Sequence, residues 1–178
     1  MRKRAAIPML MFLLLFPIRG WAAVEVEVDP FAYALEGYSL HLILAGEQQR
    51  FDMGVFALEL PEDADNPNYT VYFEGAGVKW DFNGSRIDGT FWGFEYASST
   101  LTFRYDDPSD ASPSVETIRQ LKQFGVRLGY RFGKEGWYVP PWIGVSKGRL
   151  SEPVVLNGQP YQFDEWFIFP TIHIGYRF

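Results

Sequence analysis

The chain of 178 residues contains no cysteine, which removes disulfides and thiolate metal sites from consideration. It has two histidines, His41 and His173, so any imidazole chemistry rests on that pair. Beyond residue 18 no apolar run approaches the roughly 20 residues that a membrane-spanning helix needs, which excludes such helices from the rest of the chain. Positive charge is scarce, with sixteen Lys and Arg against twenty-two Asp and Glu. Four of the sixteen (Arg2, Lys3, Arg4, Arg19) fall in the first 23 residues, which hold no acid; the remaining twelve against twenty-two give a net charge of −10. So acidic a chain repels a phosphate backbone, and nucleic acid is not expected as a partner.

What is present begins with a basic start (Arg2 to Arg4), an apolar run from Ala5 to Ile18 and the small residues of Gly20 to Ala23. That three-part order is the form of a secretory signal peptide, cut after Ala22 or Ala23. Residues 1–23 are therefore read as a signal peptide and residues 24–178, about 155 residues, as one domain.

Aromatic residues make up 18% of the chain, while its mean hydropathy is close to zero. The last thirteen residues, Trp166 to Phe178, show how both can hold. Phe178, Tyr176, Ile174, Ile172, Pro170, Ile168 and Trp166 share one face of a period-two pattern, and Arg177, Gly175, His173 and Thr171 the other. A strand with lipid outside and a polar lumen inside has this alternation. A soluble barrel or sandwich alternates too, with the apolar face inward.

The pattern recurs upstream. Tyr38 to Ala45 sets Tyr38, Leu40, Leu42 and Leu44 against Ser39, His41 and Ile43, and Arg50 to Leu60 sets Phe51, Met53, Val55 and Ala57 against Arg50, Asp52, Gly54 and Phe56. Tyr69 to Phe82 opposes Ala76, Val78, Trp80 and Phe82 to Gly75, Gly77, Lys79 and Asp81. Thr90 to Tyr105 starts with Trp92, Phe94 and Tyr96 on its apolar face and turns polar through Ser98, Thr100 and Thr102, which predicts a strand projecting beyond a membrane. Gln123 to Phe132 sets Phe124, Val126, Leu128, Tyr130 and Phe132 against Gln123, Gly125, Arg127, Gly129 and Arg131; Trp137 to Ser146 returns from it. Leu150 to Asp164, around Asn157-Gly158, reads as a loop with a small hairpin. Asp29-Pro30 with Gly37 fits a two-turn helix, and a strand from Phe31 fits equally. Val24 to Asp29 alternates valine with acids and has no assigned place.

A terminal Phe178, with Tyr176 and Ile174 at steps of two, resembles the C-terminal strand of bacterial outer-membrane β-barrel proteins, where that ending is read by the assembly machinery. Over residues 38–178 the chain is similar to the small OmpA/OmpX-type barrels. The resemblance implies an all-β fold, a closed antiparallel transmembrane β-barrel of eight strands, in the cell outer membrane. Implied partners are outer-membrane lipid, lipopolysaccharide and that machinery; the expected state is a monomer without cofactor or metal. Short connections (46–49, 83–88, 133–136) would face the periplasm and long acidic ones (61–68, 106–116, 150–164) the outside. Seven crossings are legible, an odd number for a barrel with both termini on one side. Either Val24 to Leu35 supplies the eighth or the 150–164 hairpin hides it.

The inward rows gather a polar cluster of His41, His173, Ser39, Arg50, Asp52, Lys79, Asp81, Arg127 and Arg131, with Thr171 and Glu95 beside it. An eight-stranded interior is just wide enough to be filled by such side chains. If the first legible strand and the last are neighbours, His41 and His173 meet in the lumen. Barrels that remodel lipid A use a Ser-His-acid set. The deacylase type has His and Ser two apart on one strand, but Gly175 follows His173 here, and Ser39 beside His41 faces inward. The expected role is therefore a non-enzymatic scaffold displaying acidic loops, for envelope integrity or surface contact. A lipid-modifying enzyme and a narrow channel are the alternatives. Asp63, Asp65, Asp106, Asp107 and Asp110 lack the spacing of an EF-hand calcium loop.

Overall fold

The computed structural model describes residues 21–60, 65–83, 88–106 and 114–178. The segment read as a signal peptide lies outside them up to residue 20. So do parts of the acidic loops, including Asp63, Asp107 and Asp110, and residues 84–87 of the turn after Asn83. Among the described residues no helix is long and apolar enough to cross a membrane.

The strands in chain order are β1 (Trp21–Val28), β2 (Tyr38–Gly46), β3 (Gln49–Leu60), β4 (Tyr69–Phe82), β5 (Gly89–Tyr105), β6 (Val115–Lys134), β7 (Trp137–Val139), β8 (Pro141–Leu150), β9 (Val155–Leu156), β10 (Gln159–Pro160), β11 (Trp166–Ile172) and β12 (Ile174–Arg177). One helix, α1 (Pro30–Ala34), stands between β1 and β2. Its start follows from chemistry: Phe31 N donates to Asp29 Oδ1 at 2.9 Å, and Pro30 fills the first position, where no N–H is needed. Helix therefore prevails over strand at Phe31.

All but β9 and β10 form one antiparallel sheet in which neighbours in sequence are neighbours in space. β1 pairs with β2 on one edge and with β12 on the other, so the sheet nearly rings. Of the residues without an assigned place, Val24 to Asp29, the first five lie in β1, between the first and last strands legible in the sequence, and Asp29 caps α1. β7 and β8 are one passage broken at Pro140, which has no N–H for the ladder; the matching break on the facing passage is at His173, whose N donates to Pro140 O at 3.5 Å. Short connections cluster at one end, such as the turn at Glu135 (φ 54°) and Gly136 (φ 88°), and long ones at the other.

The ring is incomplete at the long-loop end. The β1–β12 ladder covers only Glu25 to Val28 against Ile174 to Arg177. Among the described residues β11 has no strand partner on that edge, and α1 occupies the space between it and the tops of β2 and β3. Ala32 points inward at 3% exposure while Phe31 and Tyr33 are more than half exposed.

Burial is inverted over the short-turn half. Leu128, Phe132 and Ile168 are 60%, 60% and 70% exposed, whereas Arg50, Asp81 and Arg131 are buried to 2% or less. Outside, Trp80, Phe82, Trp92, Phe94 and Phe124 form a continuous aromatic chain, with successive rings 4.6 to 6.2 Å apart. Towards the long loops the order reverses: Leu101, Phe103 and Tyr105 of β5 turn inward and are buried, with Val71 of β4, Leu121 of β6 and Val154 and Leu156 of the 151–165 segment. That end carries an ordinary apolar core. β9 and β10 form the hairpin expected around Asn157 (φ 49°) and Gly158 (φ 75°).

Candidate functional site

Because side chains alternate along a strand, every inward residue of the short-turn half projects into one narrow space, and the sequence fills it with charge. Arg50 of β3 is the first hub. Its Nε donates to Glu25 Oε2 at 2.8 Å, and its Nη2 donates to the same oxygen, to Glu27 Oε1 at 2.7 Å and to Tyr138 Oη at 2.8 Å. Tyr138 in turn donates to Glu25, as does Arg177 of β12. Asp81 of β4 is the second hub. Arg127 grips both its oxygens through Nε and Nη2 at 2.9 and 2.8 Å, and Arg131 Nη2 donates to Oδ2 at 3.0 Å. Arg131 also stacks on Phe91, 4.2 Å from its centroid.

Above these hubs lie the histidines. His41 Nδ1 is 2.8 Å from Asp52 Oδ1, and His173 Nδ1 is 2.8 Å from Glu27 Oε2. An ionised carboxylate only accepts, so each Nδ1 carries its hydrogen. The two rings are 5.0 Å apart, although β2 and β12 are not adjacent as expected: β1 separates them and brings Glu27 between. Gly54 makes this layer possible, since a Cβ there would lie 2.2 Å from His41 Nδ1. Lys79 Nζ is 3.4 Å from Asp52 Oδ2 and 5.2 Å from the Trp142 ring. Thr171 Oγ1 donates to Asp29 Oδ2 at 2.8 Å, tying the cap of α1 to β11.

All nine residues of the expected cluster, His41, His173, Ser39, Arg50, Asp52, Lys79, Asp81, Arg127 and Arg131, face this interior, and all but Lys79 are buried. Missing from the sequence reading were Glu25, Glu27, Asp29 and Tyr138. The signal for the first three was the alternation of Val24 to Asp29 itself. Ile174, Tyr176 and Phe178 of the C-terminal signature lie on the outer face, with Tyr176 against Trp137 and Phe178.

Each histidine with its carboxylate is half of an acyl-transfer site, which also needs a nucleophile within hydrogen-bond reach of Nε2. Among the described residues no hydroxyl bonds to either ring, and the buried Ser39 Oγ has no hydrogen-bond partner. No group of three or more His, Asp or Glu among them is placed to hold a metal ion. The interior is thus a charge-paired plug in its lower part, opening above the histidines into a cavity of about 440 Å³. No protein-family model, curated protein or solved structure matches this chain.

Proposed function

We propose that this chain is an integral protein of the bacterial outer membrane. In this reading its sheet is a closed antiparallel transmembrane barrel of eight passes, counting β7 with β8 and β11 with β12 as one each. The observation that carries it is the inversion of burial: a ring of apolar and aromatic side chains faces out over the short-turn half while arginines and carboxylates are sealed inside. In water such an outer surface would be an aggregation hazard; in lipid it is the stable arrangement. The return to an apolar inside and a more polar outside at the long-loop end, where Ser98 and Lys122 face out although Ile118 does too, fits strands that rise from the bilayer into water.

The role best supported is non-enzymatic: a plugged barrel that holds its long, acidic loops at the cell surface. Both hubs lie across the lumen, which speaks against a conducting pore. That no hydroxyl among the described residues hydrogen-bonds to either histidine speaks against acyl transfer. In a Gram-negative host expressing the full chain, the protein is expected to sediment with the outer membrane, and protease added to intact cells is expected to cut only within the 61–68, 106–116 and 150–164 loops. Recovery from the soluble periplasmic fraction would overturn the reading. Single-channel steps in planar bilayers would overturn its non-conducting part. A lipid A mass profile that changes on expression and reverts with His41→Ala and His173→Ala would replace the scaffold by an enzyme.

A further inference from the structure

The cavity above the plug has the size of a small-molecule site, and its walls change character with height. Phe56, Phe73, Leu121 and Phe167 line its apolar body, with Phe56 and Phe73 stacked at 5.3 Å. Lys79 and Glu95 line the floor from directly opposite positions on β4 and β5. Below and beside this floor the interior holds five carboxylates, Glu25, Glu27, Asp29, Asp52 and Asp81. Five cations face inward with them, Arg50, Lys79, Arg127, Arg131 and Arg177. Lys79 is committed to Asp52. Glu95 is a sixth carboxylate; the charges of Lys79 opposite and of Arg127 act on it, but among the described residues no direct hydrogen bond or ion pair reaches it. A polar group facing a largely apolar cavity without a partner is costly unless something supplies one.

The way in is also visible. Towards the long loops the mouth is covered by the 151–165 segment, clamped where Asn66 Nδ2 donates to Gln162 O at 3.1 Å, Gln162 N donates back to Asn66 Oδ1 at 2.5 Å, and Tyr69 Oη donates to Gln159 O at 2.6 Å. Sideways, the cavity extends to Ala32, Leu58 and Phe169 on the margins of the gap in the ladder. Phe169 belongs to the inward row of β11 yet is 46% exposed, because among the described residues no strand covers it there.

We infer that this cavity binds a single-tailed amphiphile whose apolar tail fills the Phe56–Phe73–Leu121–Phe167 body and whose hydroxyl or amino end donates a hydrogen bond to Glu95. The molecule enters from the surrounding lipid through the gap beside α1. The inference rests on the membrane reading above, which fixes what lies outside that gap.

The test uses the chain refolded in detergent and first checked on a gel for a mobility change on boiling, a step that addresses the membrane reading alone. Native mass spectrometry then measures retention of decylamine, decanol and decanoate. Wild type is expected to keep one decylamine or decanol and to disfavour decanoate. Ala97→Phe or, on the other wall, Ser146→Phe fills the cavity and is expected to cut retention by about tenfold or more. Glu95→Gln keeps decanol but loses the preference for decylamine over decanoate. Ala32→Phe narrows the gap and slows loading without changing final occupancy. No adduct in a barrel that shifts on the gel, or equal retention by both filled variants, overturns the site. A wild-type preference for decanoate overturns the role of Glu95, and unchanged loading in Ala32→Phe overturns the sideways route.

Discussion

Asp81 is the residue whose removal most severely tests the plug. It is 1% exposed and accepts three hydrogen bonds from Arg127 and Arg131, with Arg50 Nη1 a further 3.5 Å from Oδ2. Asp81→Ala leaves three guanidinium groups buried around one missing anion. Arg50 keeps Glu25 and Glu27, and Arg127 keeps Asp52 at 4.0 Å. Removing one partner from a buried pair costs about 3–5 kcal/mol, because the charge left behind stays desolvated. With a urea slope on the order of 2 kcal/mol per molar, the unfolding midpoint in detergent should fall by roughly 2 M. Adding Arg127→Met to Asp81→Ala removes the guanidinium that loses two of those three hydrogen bonds and should recover part of the loss, so the double-mutant cycle is expected to be strongly non-additive. A loss below about 1 kcal/mol for Asp81→Ala, the level of a solvated surface pair, would refute a sealed plug and mean that water reaches the hub.

Three further outcomes follow from the same geometry. Gly54→Ala would set a Cβ 2.2–2.3 Å from the His41 ring, which Asp52 holds in place, and should cost about 1–3 kcal/mol in the same unfolding assay. Leu128→Arg places charge on the exposed row of β6; it should cost about 2–4 kcal/mol in a bilayer, whereas a water-facing position would tolerate it. Asn66→Ala removes both hydrogen bonds to Gln162 and should speed proteolytic cutting within 151–165 by about tenfold, without changing the gel mobility of the uncut folded chain.

The long strands were legible because their two faces obey opposite rules over ten or more residues, as in Gln123 to Phe132. The inward cluster followed from counting in twos. β1 was harder: eight residues long, it adjoins the apolar N-terminal segment, and its acids make sense only beside Arg50 and Arg177, which are distant in sequence. The two histidines were expected on neighbouring strands because β1 had no place; once β1 stands between them, their rings still come within 5.0 Å, His41 held by Asp52 and His173 by Glu27. The cavity was least legible. A void is written in small inward residues, here Gly77 and Ala97, and only the register of β4 against β5 sets those two opposite each other. The gap beside α1 depends on β1 ending at Val28 while β11 continues to Trp166, a comparison of lengths across the ring that no local pattern contains.

The most direct test of the inverted burial is heat-modifiability of residues 24–178. Refolded in detergent and run on a gel with and without boiling, it is expected to change mobility and, unboiled, to give a β-rich far-UV spectrum. A β-rich protein that stays soluble without detergent and migrates identically before and after boiling would contradict the arrangement, and would mean that the aromatic rows of β4, β5 and β6 face a core rather than lipid.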